Sequence, residues 1–457
     1  MSACGDSKTQ SPGPAGRIAP AATPATEVAP ALHETGKLIA KQPVAGTASD
    51  TYAYYLPKSY RADQAARIVI FLDAHARGQD PVEMYKPLAE EFGFLLFGSN
   101  VSKNGQLPAE SLVIYDALLR DIKAKFKIDD KHITVAGFSG GARVAASLAQ
   151  SRPGLVQVIG CSAGFQPREG DAFGYFGIAG LEDFNYWEMY DLENALQGMK
   201  QPYAFQFFPG GHAWPPLNVM QNALEFSYFK WADVQKPNDS LATLRMKSFQ
   251  SELNAAQHAF DYFWQMRAYE AVIGAMGGWL DLAKEKDGLA KLRTDKFFLQ
   301  AKTKLDASRD IELKMRNEYV PQLGTRTVDE WRKIAADLRD GKISHPGADH
   351  FTDLRVLNFM SLNTYFQVAG AQKAGDLAAM EHFLLIYAAV DPGNSEHAYI
   401  TAVLRLRQNR PTDAIASLKQ ARVIGFKDAE RMASDPDLAG LRRDPAFEAM
   451  LGEMRAQ

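Results

Sequence analysis

A serine flanked by glycines is the strongest chemical signal in the 457-residue sequence. Residues 137–141 read Gly-Phe-Ser-Gly-Gly, which has the form G-x-S-x-G, between an apolar run at 133–136 and a run of small residues suited to a helix. A strand–turn–helix of this kind holds the serine hydroxyl at a helix N-terminus, and side chains at Gly137 and Gly141 would collide with the neighbouring strand and helix. The pattern therefore predicts that Ser139 is a nucleophile. The alternative is that Ser139 only caps the following helix.

A serine hydroxyl needs a general base to become nucleophilic. His212 is the candidate because it follows the predicted strand 204–208, in a loop that begins with a proline and two glycines. Such a loop after the last strand can direct an imidazole towards the serine. The other eight histidines precede the serine or lie in the helical half of the chain. The alternative is a structural histidine in a turn.

The base in turn needs a carboxylate to orient its ring. Glu182 and Asp183 are the acids that directly follow the predicted strand 175–179. We predict that Asp183 is the acid and rank Glu182 second. The alternative for Asp183 is an N-cap of the next helix. The chain order of serine, aspartate and histidine is that of the α/β-hydrolases and differs from the two protease orders.

An oxyanion that forms during acyl transfer needs two backbone N–H donors. Gly140, directly after the serine, supplies one. The second is expected from the loop after the predicted strand 66–72, as the N–H of Arg77 or of Ala76. Residues 73–78 resemble the His-Gly-x-Gly loop of esterases, with Ala76 in place of the first glycine and His75 in a structural role.

Two tryptophans flank the candidate acid and base. Trp187 and Trp214 are candidates for the wall of an acyl or aromatic pocket, and ordinary packing is the alternative. Only about a dozen residues separate Cys161 from Tyr175. Because no large cap is inserted there, we expect the site to be open from above.

The chain divides by pattern into three parts. Residues 1–48 are rich in Pro and Ala, which predicts a flexible tether. Residues 49–236 alternate short apolar runs with helical spacing, which predicts a mostly parallel sheet with helices on both faces. Residues 237–457 show helical spacing without strands, which predicts an all-α domain.

The four segments 73–78, 137–141, 180–183 and 211–212 occur in an order that identifies a resemblance. Residues 50–236 resemble α/β-hydrolases of the dienelactone hydrolase, polyhydroxybutyrate depolymerase and feruloyl-esterase-like group. The resemblance implies serine-dependent hydrolysis of an ester or related acyl bond in a small molecule or polymer, and implies no metal or organic cofactor. The competing hypothesis is an inactive hydrolase-like scaffold.

A helix–turn–helix pattern recurs near the C-terminus with an offset of about 34 residues, the tetratricopeptide period. Residues 360–426 resemble tetratricopeptide repeats, with Gly370 and Ala402 at positions where that family uses small residues. Such repeats form a concave groove that binds a protein or peptide partner. A plain helical bundle is the alternative.

The N-terminus and the charge bear on location. Ser2, Ala3 and Cys4 resemble the end of a bacterial lipoprotein signal, although no basic and apolar segment precedes them. The resemblance implies lipidation of Cys4 and an extracytoplasmic, membrane-anchored protein, in the periplasm or at the cell surface; an accidental match would leave it cytoplasmic. The formal net charge of −3 argues against a nucleic-acid binder that neutralises phosphates.

Overall fold

The computed structural model describes residues 33–231, 240–278, 280–342, 348–349 and 351–456. Cys4, with its predicted lipidation, and most of the predicted tether lie outside these residues. The predicted boundary between residues 236 and 237 also lies outside them.

Eight strands form one sheet in the order β1-β2-β4-β3-β5-β6-β7-β8. The strands are β1 (Leu38–Pro43), β2 (Thr51–Tyr55), β3 (Ala66–Leu72), β4 (Leu95–Ser99), β5 (Ile128–Phe138), β6 (Leu155–Cys161), β7 (Gly174–Gly180) and β8 (Tyr203–Phe208). Strand β2 is antiparallel to both of its neighbours, and every other pair is parallel. The predicted mostly parallel sheet is confirmed.

Helices cover both faces of this sheet. They are α1 (Gln79–Phe92), α2 (Pro108–Lys125), α3 (Gly140–Ser151), α4 (Tyr186–Leu196) and α5 (Leu217–Trp231). Alternate residues of β3 enter two different cores: Val69 and Phe71 pack with residues of α1 and α5, whereas Ile68 and Ile70 pack with residues of α2, α3 and α4. Burial on both faces explains why the central strands are apolar without alternation.

Strand β1 corrects the predicted tether, which was drawn to residue 48. Leu38 pairs with Tyr55 of β2, and the Asn100 side chain donates a hydrogen bond of 2.9 Å to the carbonyl of Ala40. The prediction failed because a six-residue edge strand contributes few apolar residues and is followed by the turn-forming segment 44–50. These partners are distant in sequence, so local composition does not show them.

The rest of the chain, called the helical region here (residues 240–456), has no strand in its described part, as predicted. Its α-helices are α6 (Ser240–His258), α7 (Tyr262–Met276), α8 (Ala283–Thr294), α9 (Lys296–Tyr319), α10 (Val328–Arg339), α11 (Thr352–Ala374), α12 (Leu377–Val390), α13 (Ser395–Arg407), α14 (Pro411–Ile424), α15 (Ala429–Ser434) and α16 (Pro445–Ala456). Two 3₁₀ helices cover Val320–Gly324 and Pro436–Leu441. Within the described ranges, no helix combines the length and apolarity that spanning a bilayer requires.

Helix α7 packs on the sheet, although the predicted boundary assigns it to a separate domain. Val272 and Met276 are fully buried in the core that also contains Phe176 of β7. Gly274 approaches the backbone of β8 so closely that a β-carbon there would lie 2.6 Å from the carbonyl oxygen of Tyr203. Helix α7 is therefore part of the cover of the sheet.

Two consecutive helix pairs occur where the repeat was predicted. Helices α11 and α12 form the first pair, and α13 and α14 form the second. Ala402 is fully buried, as a small repeat position requires. Gly370 is exposed, with open space where a β-carbon would stand, so packing does not require a small residue there. The resemblance to tetratricopeptide repeats stays a prediction.

Candidate active site

Ser139 lies at the sharp turn between β5 and α3. Its backbone has φ 54° and ψ −121°, a left-handed conformation that is unusual for a residue other than glycine. A β-carbon at Gly137 would collide with the carbonyl of Gly141, and one at Gly141 would collide with the carbonyl of Leu72 in β3. The Ser139 side chain makes no capping hydrogen bond to α3. The structure therefore does not support the alternative in which the Ser139 hydroxyl caps α3.

His212 and Asp183 are joined directly. His212 Nδ1 lies 3.0 Å from Oδ1 and 3.1 Å from Oδ2 of Asp183, which is fully buried in the turn after β7. Asp183 Oδ1 also accepts a hydrogen bond of 2.8 Å from the N–H of Asn185. Asn185, not Asp183, is the N-cap residue of α4. The geometry thus favours Asp183 over Glu182 as the partner of the histidine.

The imidazole of His212 lies between two phenylalanine rings. Phe184 stacks on it with a centroid separation of 4.1 Å, and Phe138 lies 4.8 Å away on the strand that ends at Ser139. Because Nδ1 donates to a carboxylate, the other ring nitrogen, Nε2, carries the lone pair in the neutral ring. Among the described residues, His212 and Ser139 form no hydrogen bond with each other; the ring contacts Phe138, the residue before the serine.

Ala76 and Arg77, the two candidates for the second oxyanion donor, differ in the hydrogen bonding of their backbone N–H groups. The N–H of Ala76 is already used, since it donates to the carbonyl of Ser102 at 3.1 Å and approaches that of Asp73 at 3.5 Å. This corrects the inclusion of Ala76 among the donors. Within the described residues, the backbone N–H groups of Arg77 and Gly140 donate no hydrogen bond. Ala76 has φ 61°, a left-handed backbone conformation that favours glycine.

A buried carboxylate ties the loop of Arg77 to the loop of His212. Asp73 is fully buried and accepts hydrogen bonds from the N–H of His75 at 2.8 Å, from Arg77 Nε at 3.3 Å and from Trp214 Nε1 at 2.9 Å. The indole of Trp214 also packs edge-on against Phe71 at a centroid distance of 5.8 Å. Trp214 therefore braces two loops, and its place in a pocket wall stays a prediction.

Trp187, the other candidate for a pocket wall, is buried. It is only 6% exposed, and its Nε1 donates a hydrogen bond of 2.7 Å to Glu312 Oε2 of α9. Its indole thus belongs to a buried contact with the helical region. Sequence spacing placed Trp187 near Asp183 correctly, but it could not reveal a partner 125 residues away.

A groove of about 560 Å³ begins one helical turn beyond Ser139, between α3, α4 and the loop after β6. Arg143 and Glu188 lie in its lining and form an ion pair of 2.7 Å. Glu188 also accepts a hydrogen bond of 2.9 Å from the N–H of Gly164. Phe165 adds an aromatic surface to the same lining. The groove combines polar and aromatic side chains.

Comparisons with known proteins give matches among solved structures alone. No protein-family model matches the sequence, and no curated protein matches it. Similar structures include a fluorophosphonate-binding serine hydrolase of Staphylococcus aureus (15% identity, 42% of this chain and 99% of that one, TM-score 0.35). Others are a ferulic acid esterase (17%, 41% and 94%, TM-score 0.34) and the feruloyl esterase module of Clostridium thermocellum (12%, 45% and 92%, TM-score 0.37).

The strand order and the position of the serine decide the fold. The sheet has one antiparallel strand, β2, next to its edge, followed by six parallel strands. A glycine-bounded serine lies between β5 and α3. Residues 34–231 have the α/β-hydrolase fold. In this α/β-hydrolase region, Ser139, Asp183 and His212 all follow the carboxyl ends of parallel strands, which lie at one edge of the sheet.

The helical region contacts this edge of the sheet next to Asp183 and His212, and the expectation of an open site stays a prediction. Asn358 of α11 lies against Gly211, where a β-carbon would be 3.4 Å from Asn358 Nδ2. Further contacts from α9 and α11 reach residues 181–184, next to Asp183. These contacting residues of α9 and α11 lie more than 100 positions downstream of Asp183 in the sequence. The sequence carries no local signal for Asn358, or for the loop-bracing role of Asp73.

The buried charge of Asp73 is expected to make the free energy of unfolding depend on pH. Burial raises its pKa, but the hydrogen bonds from His75 and Trp214 and the charge of Arg77 outweigh burial and lower the pKa to about 2. A depressed carboxyl pKa stabilises the fold above the unfolded value near 3.9, and this contribution disappears as the pH falls towards 2. We expect Asp73→Asn to lower the free energy of unfolding by about 2 kcal/mol at pH 7.

Urea unfolding at several pH values measures this effect. The difference between wild type and Asp73→Asn should shrink between about pH 4 and pH 2. Asp63→Asn, at an exposed carboxylate that pairs with Arg61, serves as the control. A difference that stays constant across this range would contradict the prediction.

Proposed function

We propose that this protein is a serine hydrolase that cleaves a carboxylic ester or a related acyl bond through an acyl-enzyme. The observation that carries the proposal is the direct hydrogen bond between His212 and buried Asp183, with the His212 ring in contact with Phe138, the residue before a strained and uncapped Ser139. A helix-capping serine or a turn histidine has no need of this arrangement.

The residues act in a fixed order. His212 Nε2 takes the proton of Ser139 as its oxygen attacks the acyl carbon, and Asp183 stabilises the imidazolium that forms. The N–H groups of Gly140 and Arg77 bind the oxyanion. His212 then protonates the leaving alkoxide, and the acyl group stays on Ser139. Water attacks this ester in the same way, releasing the acid and restoring the serine proton.

Ser139 is not in the lining of the groove, but Arg143, four residues later on α3, is. We propose that a substrate larger than a short-chain ester extends from Ser139 into this groove. Its volume of about 560 Å³ lies in the range of small-molecule sites. Phe165 offers an apolar contact, while Arg143 and Glu188 offer polar ones. An aromatic ester, a sugar ester or a polymer end fits this mixed lining. Cleavage of a peptide bond is the variant of this proposal with the same chemistry.

Two parts of the proposal concern the surroundings of the enzyme. We propose a lipid-anchored, extracytoplasmic location on the basis of Cys4 and the Pro- and Ala-rich segment that follows it. We also propose that helices α11 to α14 offer a surface for a protein partner. The helix pairs support this second part because they stack consecutively along the chain.

Labelling with a fluorophosphonate probe tests the proposed activity. We expect the wild-type protein to form a covalent adduct at Ser139 and to hydrolyse members of an aromatic and aliphatic ester panel. His212→Ala should abolish labelling because the serine loses its base. His258→Ala is the matched control, since His258 is exposed on α6 and, within the described part of the chain, its side chain bonds only the carbonyl of Asn254. A folded wild type that neither labels nor turns over would favour the inactive scaffold.

A further inference from the structure

Three side chains of the helical region bind the backbone that carries Asp183. Arg355 donates a hydrogen bond of 3.0 Å to the carbonyl of Leu181, and Asn358 donates one of 2.8 Å to the carbonyl of Glu182. Arg316 donates one of 3.0 Å to the carbonyl of Phe184. Carbonyls on both sides of Asp183 are thus held by α9 and α11. We call residues 181–184 the acid loop.

The two arginine donors are themselves fixed by a buried charge cluster. Glu312 of α9 is fully buried and accepts hydrogen bonds from Arg355 Nε at 2.7 Å and from Arg316 at 2.5 Å. Arg355 is 1% exposed and also pairs with Asp349 at 2.7 Å. Because these side chains are bonded at several points, they have little freedom to follow a moving acid loop.

The acid loop controls the histidine in two ways. Asp183 bonds Nδ1 of His212, and Phe184 stacks on the imidazole ring. Asn358 also lies against Gly211, the residue before His212. A shift of the loop would therefore displace the carboxylate, the stacked ring and the approach to the histidine together.

We infer that Arg316, Arg355 and Asn358 are positioning residues, through which the helical region holds Asp183 and His212 in register with Ser139. This inference rests on the proposed function for its catalytic meaning. In it, the helical region is a structural part of the active site in addition to any surface it offers to a partner. Misplacing reacting groups by about 1 Å costs up to 100-fold in rate.

Asn358→Leu tests the inference because leucine has a similar size but no N–H donor. We expect kcat for ester hydrolysis to fall roughly 10- to 100-fold with KM nearly unchanged. Asn358→Gln keeps the donor and should recover part of the rate. Asn363→Leu is the matched control: Asn363 lies on the same helix and is half-buried, and among the described residues its side chain bonds only the carbonyl of Phe359, at 2.8 Å.

A second readout does not depend on activity. The hydrogen-bonded Nδ1 proton of His212 should give a far-downfield NMR resonance in the wild type and in Asn363→Leu. It should broaden or disappear in Asn358→Leu while the melting temperature stays close to that of the control. An unchanged resonance, or a kcat within twofold of the control, would overturn the inference. A wild type with this resonance but without turnover or probe labelling would instead overturn the proposed activity.

Discussion

Ser139→Ala is expected to lower kcat for ester hydrolysis by about 10⁴- to 10⁶-fold and to leave the fold intact. The loss is large because Ser139 supplies the nucleophile of the proposed mechanism. Burial raises the pKa of the Cys161 thiol far above its usual value, so this cysteine cannot supply a thiolate. Residual hydrolysis should reflect only substrate binding and the N–H donors of Gly140 and Arg77. Steady-state kinetics with the best ester of the panel measure the effect.

The control for this prediction lies on the same helix. Ser151→Ala removes an exposed hydroxyl that bonds the carbonyl of Ser147 at the far end of α3, and its kcat should equal that of the wild type. Circular dichroism should show the same helix content for both variants. If Ser139→Ala kept more than a tenth of wild-type turnover, hydrolysis would have to occur without Ser139.

Glu312→Gln is expected to lower the free energy of unfolding by about 3 to 5 kcal/mol. Glutamine keeps the size of the side chain but removes the negative charge that faces Arg355 and Arg316. Arg355 then keeps only Asp349 as a countercharge, in a site that is 1% exposed. A buried ion left without its partner carries the full cost of its lost hydration. Urea unfolding monitored by tryptophan fluorescence measures the change.

The control for Glu312→Gln is Asp329→Asn, which changes a carboxylate at the surface. Asp329 pairs with Arg332 on α10, where its side chain is 87% exposed. We expect no measurable change in stability for Asp329→Asn, because exposed ion pairs are screened by solvent. If Glu312→Gln and Asp329→Asn changed the free energy of unfolding equally, the prediction for Glu312 would be wrong.

The sequence predicts well the features that depend on neighbouring residues or on the shared ends of parallel strands. The glycines at 137 and 141 specify the turn around Ser139 because they permit contacts that any β-carbon would block. Asp183 and His212 were predictable because each follows a buried strand, and parallel strands bring such positions together. Their hydrogen bond was therefore foreseeable without knowledge of any side-chain packing.

Features that depend on distant partners could not be predicted. Strand β1 forms because β2 offers an unpaired edge, not because Leu38 and its neighbours have a strong preference of their own. Trp214 reaches Asp73 across 141 positions, and Asn358 reaches Glu182 across 176. No periodicity or spacing encodes such pairs. The same limit applies to the N–H of Ala76, whose partner Ser102 lies in another loop.

The packing of α7 on β8 has a consequence for the order in which the chain folds. Strand β8 is the last strand of the sheet, and an uncovered edge strand invites pairing with other chains. Its cover arrives late in synthesis, because β8 ends at Phe208 and α7 ends at Met276. Until then a nascent chain displays an aggregation-prone edge on an otherwise complete sheet. A gene cut after residue 236 would make this transient state permanent, so we expect such a fragment to be recovered as insoluble material.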